Sequence, residues 1–158
     1  MRNAKSVVCA VAALALSQAP AQSQRLPNLT GEWKADLAKS DFGSSPAPQK
    51  LTLKINHQEP ALHIVSDQIG PDSDTHAEYK CKTDGSECTT MVGEREVKST
   101  LRWNAGVLHS KAEWTSGDSK TTLASQWSLS EDGKTLKMTR RLSGARGEIS
   151  QTFVFEKQ

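Results

Sequence analysis

Few side chains in this sequence are arranged for catalysis. Its four histidines, His57, His63, His76 and His109, are scattered, and no HxH, HExxH or Cys/His cluster gathers them as a zinc or haem site requires. A GxSxG turn, a phosphate-cradling glycine loop and an inward pair of carboxylates for acid–base work are all missing. The expectation is a protein that is not an enzyme and carries no cofactor. Haem ligation would need an inward histidine, and only His57, ending a strand near Pro60, could serve. Two cysteines are placed to react with each other. Cys81 and Cys88 flank Lys82-Thr83-Asp84-Gly85-Ser86-Glu87. Asp-Gly favours a two-residue hairpin turn, which sets 83 opposite 86, 82 opposite 87 and Cys81 opposite Cys88. The pair reads as a disulfide across a hairpin, stabilising by about 2–3 kcal/mol through loop closure. Without CxxC spacing, redox or metal chemistry is the weaker reading.

Arg140 differs in kind. It falls in the run Leu136-x-Met138-x-Arg140-x-Leu142, whose alternation puts it on the apolar face of a strand. A buried, unpaired guanidinium costs several kcal/mol, so it needs an anion, hydrogen-bond acceptors or water.

The elements that position these residues are strands. Alternating segments recur with turn residues between them, giving candidates at 30–36, 50–56, 61–67, 74–81, 87–92, 95–103, 107–114, 120–129, 135–142 and 148–156. The long connection 37–49 contains Gly43-Ser44-Ser45-Pro46-Ala47-Pro48 and cannot be helical throughout. Paired residues of an antiparallel hairpin share a face, so each turn predicts a register. Turns at Ala105-Gly106, Gly117-Asp118, Asp132-Gly133 and Ala145-Arg146 give Trp103–Leu108, Ala112–Leu123, Trp127–Met138 and Met138–Phe153, with their in-phase neighbours. All four hairpins place one apolar set on one face, and the other face is polar. With no helix to cover it, such a sheet must close on itself. The predicted fold is an all-β antiparallel meander of about ten strands, closed into a barrel or flattened clam; a dry β-sandwich is the alternative.

Trp33, Tyr79, Trp103, Trp114, Trp127, Phe153 and Phe155 take inward positions, interleaved with Ser99, Ser110, Ala112, Ser125 and Gln151. Small and polar residues among large apolar ones indicate space for a ligand. The competing reading is a filled core, with Arg140 stacked on an indole or reaching the barrel mouth and solvent. The ligand reading sets the acidic or polar head of an amphipathic molecule against Arg140, Ser110, Ser125 and Gln151. Its apolar part then lies near Ser99, Tyr79, Trp103, Trp114 and Trp127.

The strand opening Leu29-Thr30-Gly31-Glu32-Trp33-Lys34 carries a G-x-W that resembles the first motif of the calycin superfamily: lipocalins, fatty-acid-binding proteins and avidins. The resemblance implies a barrel that binds a small molecule inside, with Gly31 and Trp33 at its closed end. It also implies an arginine from a late strand over the tryptophan, here Arg140 or Arg141. Ten strands resemble the fatty-acid-binding type, but 37–49 lacks that type's helix pair. The first strand resembles that of avidins, with Asp36 where those commonly have Asn. The nearest description is a bacterial-type secreted lipocalin-like domain.

The N-terminus reads as a leader. Met1–Lys5 is basic, Val7–Leu16 is apolar, and Ala19-Pro20-Ala21 is a small-x-small cleavage pattern. The apolar run is too short to span a bilayer. The domain reading is therefore a signal peptide over 1–21, a flexible segment over 22–28 and the barrel over 29–158, in a secreted or periplasmic protein with no integral membrane segment after cleavage. Arg2 and Lys5 are the only charges before Arg25, and beyond them 18 basic residues balance 18 acidic ones. That balance argues against nucleic acid as a partner. The expected partner is a small hydrophobic or amphipathic molecule, bound by a monomer. The competing function is a structural or interaction domain acting through its polar surface.

Overall fold

The structure, a computed structural model, describes residues 25–158, so the leader and its cleavage point lie outside the described residues. Ten antiparallel strands follow: β1 (Gly31–Ala35), β2 (Lys50–Gln58), β3 (Ala61–Ile69), β4 (Asp74–Lys82), β5 (Asp84–Val92), β6 (Arg95–Asn104), β7 (Val107–Ser116), β8 (Ser119–Leu129), β9 (Thr135–Gly144) and β10 (Gly147–Lys157). They form one sheet in the order β4-β3-β2-β1-β10-β9-β8-β7-β6-β5. Pairing of β1 with β10 joins the two ends of the meander and curls the sheet into a nearly closed barrel.

The register follows the turns. Trp103 faces Leu108, Ala112 faces Leu123, Trp127 faces Met138, and Met138 faces Phe153. Because paired residues share a face, one correct turn fixes every side chain of its hairpin. The closed end is packed tightly: Trp33, Phe153, Phe155, Leu29, Leu62, Leu108 and Leu136 are each less than 2% exposed. Each such side chain contributes about 1.5–3 kcal/mol of burial.

The β4–β5 connection is not the hairpin that Asp84-Gly85 suggests. Only Thr83 separates the two strands, and its N–H donates to the Pro60 carbonyl at 2.8 Å. Asp84 already pairs with Arg102, and the register shifts between Asp84 and Glu87. Gly85 therefore sits in a β-bulge, where its φ of +87° is used beside the Arg102 guanidinium. A bulge and a tight turn ask for the same residue, which is why the two are confused in sequence. As a result β4 and β5 are the two edges of the sheet. The disulfide does form, between Cys81 and Cys88 with Cα atoms 5.3 Å apart, and it bridges this seam.

The 37–49 connection is a strap laid along β10 beyond the end of short β1. Asp41 and Thr152 exchange backbone hydrogen bonds of 2.7 Å each, and Asp36 N–H donates to Val154 O. Phe42 packs edge-on against Phe153. Gly43 lets the strap approach: its φ is +60°, and a Cβ there would lie 2.5 Å from the Ser150 carbonyl oxygen. Gly43→Ala is expected to cost about 2 kcal/mol, from the left-handed backbone and the displaced strap, read as a lowered denaturant midpoint.

Candidate functional site

The open end of the barrel holds a cavity of about 230 Å³. That is somewhat below the usual range for ligand pockets, roughly 300–1,000 Å³, and above the ~150 Å³ that admits benzene. Aliphatic residues of β2, β3 and β6 form one wall; Trp114, Trp127 and Tyr79 add aromatic surface, and Ser66, Ser99, Ser110 and Ser125 add hydroxyls. Among the described residues no Asp or Glu lines it.

Arg140, on β9, lines the cavity in the row Leu101, Ser110, Ser125, Arg140, Gln151. Its Nε donates to Gln151 Oε1 at 2.6 Å, and its guanidinium lies over the Phe153 ring, 4.4 Å from the centroid. Gln151 Nε2 in turn donates to the Phe42 carbonyl at 2.9 Å, which ties the arginine to the strap. Burial pulls the Arg140 pKa down to about 10, with nearby Tyr79 acting in the opposite sense. Burial likewise raises the Tyr79 phenol, against the pull of Arg140. Arg140 also lines a second hollow beneath the strap, with Phe42, Pro46 and Asp72, and makes no ion pair among the described residues. The guanidinium is thus partly satisfied and keeps donors free between the two spaces.

Of the residues singled out in sequence, Arg140, Ser99, Ser110, Ser125, Tyr79, Trp114 and Trp127 line the cavity. The Trp127 indole N–H is buried without a partner among the described residues. Gln151 is buried behind Arg140 and faces the strap hollow. Trp103 points elsewhere, because its indole N–H donates to Glu59 near the closed end. Trp33 sits at the closed end with Nε1 donating to the Leu29 carbonyl at 3.0 Å. The cation over its ring is Lys157, at 5.3 Å, and not Arg140 or Arg141. Arg140 pairs with Gln151, three inward rows along β10 from Lys157, while Lys157 pairs directly with Trp33 across β1 and β10. A Cβ on Gly31 would lie 2.7 Å from Lys157 Cε, so the glycine makes room for this lysine.

Glu59 is the polar centre of the closed end. It accepts hydrogen bonds from Thr83 Oγ1 (2.6 Å), His57 Nε2 (2.7 Å) and Trp103 Nε1. The Leu29 N–H donates to His57 Nδ1, which leaves the ring proton on Nε2 and commits both nitrogens, so His57 has no lone pair free for haem. Burial alone would raise the Glu59 carboxyl, but the donors from Thr83, His57 and Trp103 outweigh it and hold the pKa below its ordinary value. A lowered folded-state pKa stabilises the fold above the ordinary glutamate range, and the contribution is lost as pH falls through the folded value. Glu59 is more than a third exposed, so water screens these bonds, and Glu59→Gln is expected to cost at most about 1 kcal/mol at neutral pH, and less as the wild-type carboxyl is protonated. Urea unfolding of both proteins across the acid range measures this.

Sequence parity overlooked Arg95, Gln68 and Glu59. Arg95 shares inward phase with Val97, Ser99 and Leu101, and Gln68 with Leu62, Ile64 and Ser66; both line the cavity. Their phase could have found them. Glu59 lies beyond the end of its strand, where alternation says nothing.

No family model and no curated protein matches the chain. Solved structures do resemble it. One is a secretory abundant heat soluble protein from Ramazzottius varieornatus, obtained from a dimer sample: TM-score 0.62 and 16% identity, over 82% of this chain and 94% of that one. Another is secretory abundant heat soluble protein 4 from the same organism: TM-score 0.53 and 15% identity, over 86% and 99%. At such identities the likeness shows the fold alone, a ten-stranded antiparallel β-barrel.

Proposed function

We propose that the protein is a secreted or periplasmic, bacterial-type binding module that holds a small hydrophobic or amphipathic anion inside its barrel. It performs no chemistry on that ligand and acts as a monomer. The observation that carries this reading is a half-buried, desolvated guanidinium on the wall of an apolar cavity that no carboxylate of the described residues lines. Arg140 then meets the acidic head beside Ser110 and Ser125, and the ligand's apolar part lies against Trp114, Trp127 and the aliphatic wall. A charge-assisted hydrogen bond in such a place is stronger than a neutral one. The cavity itself speaks against the competing reading of a filled structural domain.

The test is native mass spectrometry of protein purified from its own host, together with tryptophan fluorescence during titration with saturated carboxylates. Bound mass and a saturable response support the reading. Reproducible emptiness with no response to any carboxylate overturns it.

A further inference from the structure

Arg95 opens β6 at inward phase and faces the same cavity as Arg140. Its guanidinium lies over the Trp114 ring, 5.3 Å from the centroid. Glu113, beside it in the outer groove, is held at 2.8 Å by both Lys111 and Lys120. Glu94 and Glu96 share that groove, yet Arg95 makes no ion pair among the described residues. Val92, Arg95 and Trp114 line both the cavity and the groove outside, so the arginine on its tryptophan is the partition between them.

The shape of the cavity bears on what it takes. Leu101, Ser99, Val97 and Arg95 all line it. These inward positions run along seven residues of β6, about 20 Å of strand at the ordinary rise. A volume of about 230 Å³ lined along that stretch is small. It suits an unbranched chain better than a fused ring system.

Resting on the reading of Arg140 above, we propose that Arg95, seated on Trp114, is a second anion subsite at the mouth. The ligand class is then a linear molecule with an acidic group at each end, of the α,ω-dicarboxylate type. One carboxylate meets Arg140 in the interior, the chain follows the Leu101–Val97 wall, and the other carboxylate closes the mouth against Arg95. The indole face holds the guanidinium in place before the ligand arrives, which lowers the ordering cost of the outer contact. A partly exposed ion pair of this kind is worth about fivefold in affinity, and about tenfold with the indole behind it.

The test is isothermal titration of the purified protein with saturated monocarboxylates and α,ω-dicarboxylates of matched chain length. The expected result is an optimum length at which the dicarboxylate binds about five- to tenfold tighter than its monocarboxylate counterpart. Arg95→Gln is expected to erase that difference, bringing the dicarboxylate down to its counterpart. A dicarboxylate that binds no tighter in the wild type, or an advantage that survives Arg95→Gln, overturns the proposal and leaves the Arg140 reading standing. Failure of both series to bind the wild type overturns the Arg140 reading, and this proposal with it.

Discussion

Arg140→Met is expected to weaken carboxylate binding by about thirtyfold or more while leaving the empty barrel at least as stable as before. The two effects have opposite signs for one reason. Without ligand, the guanidinium is desolvated and holds a single side-chain acceptor, Gln151. Replacing such a charge by an apolar side chain of similar length is commonly neutral or stabilising, here by about 1 kcal/mol once the lost Gln151 bond is counted. With ligand, the same substitution leaves a carboxylate in an apolar cavity with no cation beside it. Truncating one partner of a buried charge pair costs about 2 kcal/mol or more, which is the thirtyfold loss. Arg140→Lys should fall between, because an ammonium lacks the planar fork that engages a carboxylate through two bonds. Titration calorimetry and thermal unfolding on the same samples check both signs. A drop in stability that matches the drop in affinity would show Arg140 to be a packing residue.

The second large effect falls on the seam. The double substitution Cys81→Ser, Cys88→Ser is expected to lower stability by about 2–3 kcal/mol, from the loop entropy returned to the unfolded chain. A hairpin would keep its ladder when such a bridge is lost. Here β4 and β5 are edges, and the sulfur bridge joins them directly. Amide hydrogen exchange should therefore rise in Asp74–Lys82 and Asp84–Val92 beyond what global destabilisation accounts for, while β7 to β9 remain protected. Uniform acceleration across all strands would mean that the seam is held by packing and not by the bridge.

These outcomes bear on what can be read from a sequence. The four hairpins of β6 to β10 were legible because each turn names its two central residues, and alternation then propagates without further choice. The place of Arg140 in its row follows from that arithmetic alone. The seam was illegible because Gly85 satisfies a bulge as well as a turn, and only the three-dimensional pairing of Asp84 with Arg102 decides between them. The cation over Trp33 failed for a related reason. Lys157 reaches the ring across the β1–β10 ladder, and no turn connects those strands to set their register. Trp103 was placed on the correct face and at the wrong depth for the ligand, since parity gives the side of a sheet and not the distance from the barrel mouth.

That β1–β10 ladder governs how the barrel comes into being. Every other ladder joins strands that follow one another in sequence, and apart from β1–β2, which spans the strap, each closes a loop of a few residues. This one holds only Trp33↔Lys157, Lys34↔Glu156 and Ala35↔Phe155, and it closes nearly the whole described chain. Loop-closure entropy grows with the logarithm of length, so the step is slow but not prohibitive. A chain that has emerged only as far as β9 presents an open sheet with its apolar face in water, the kind of species that aggregates. The interior in which Arg140 waits for an anion is created by the last strand to be made.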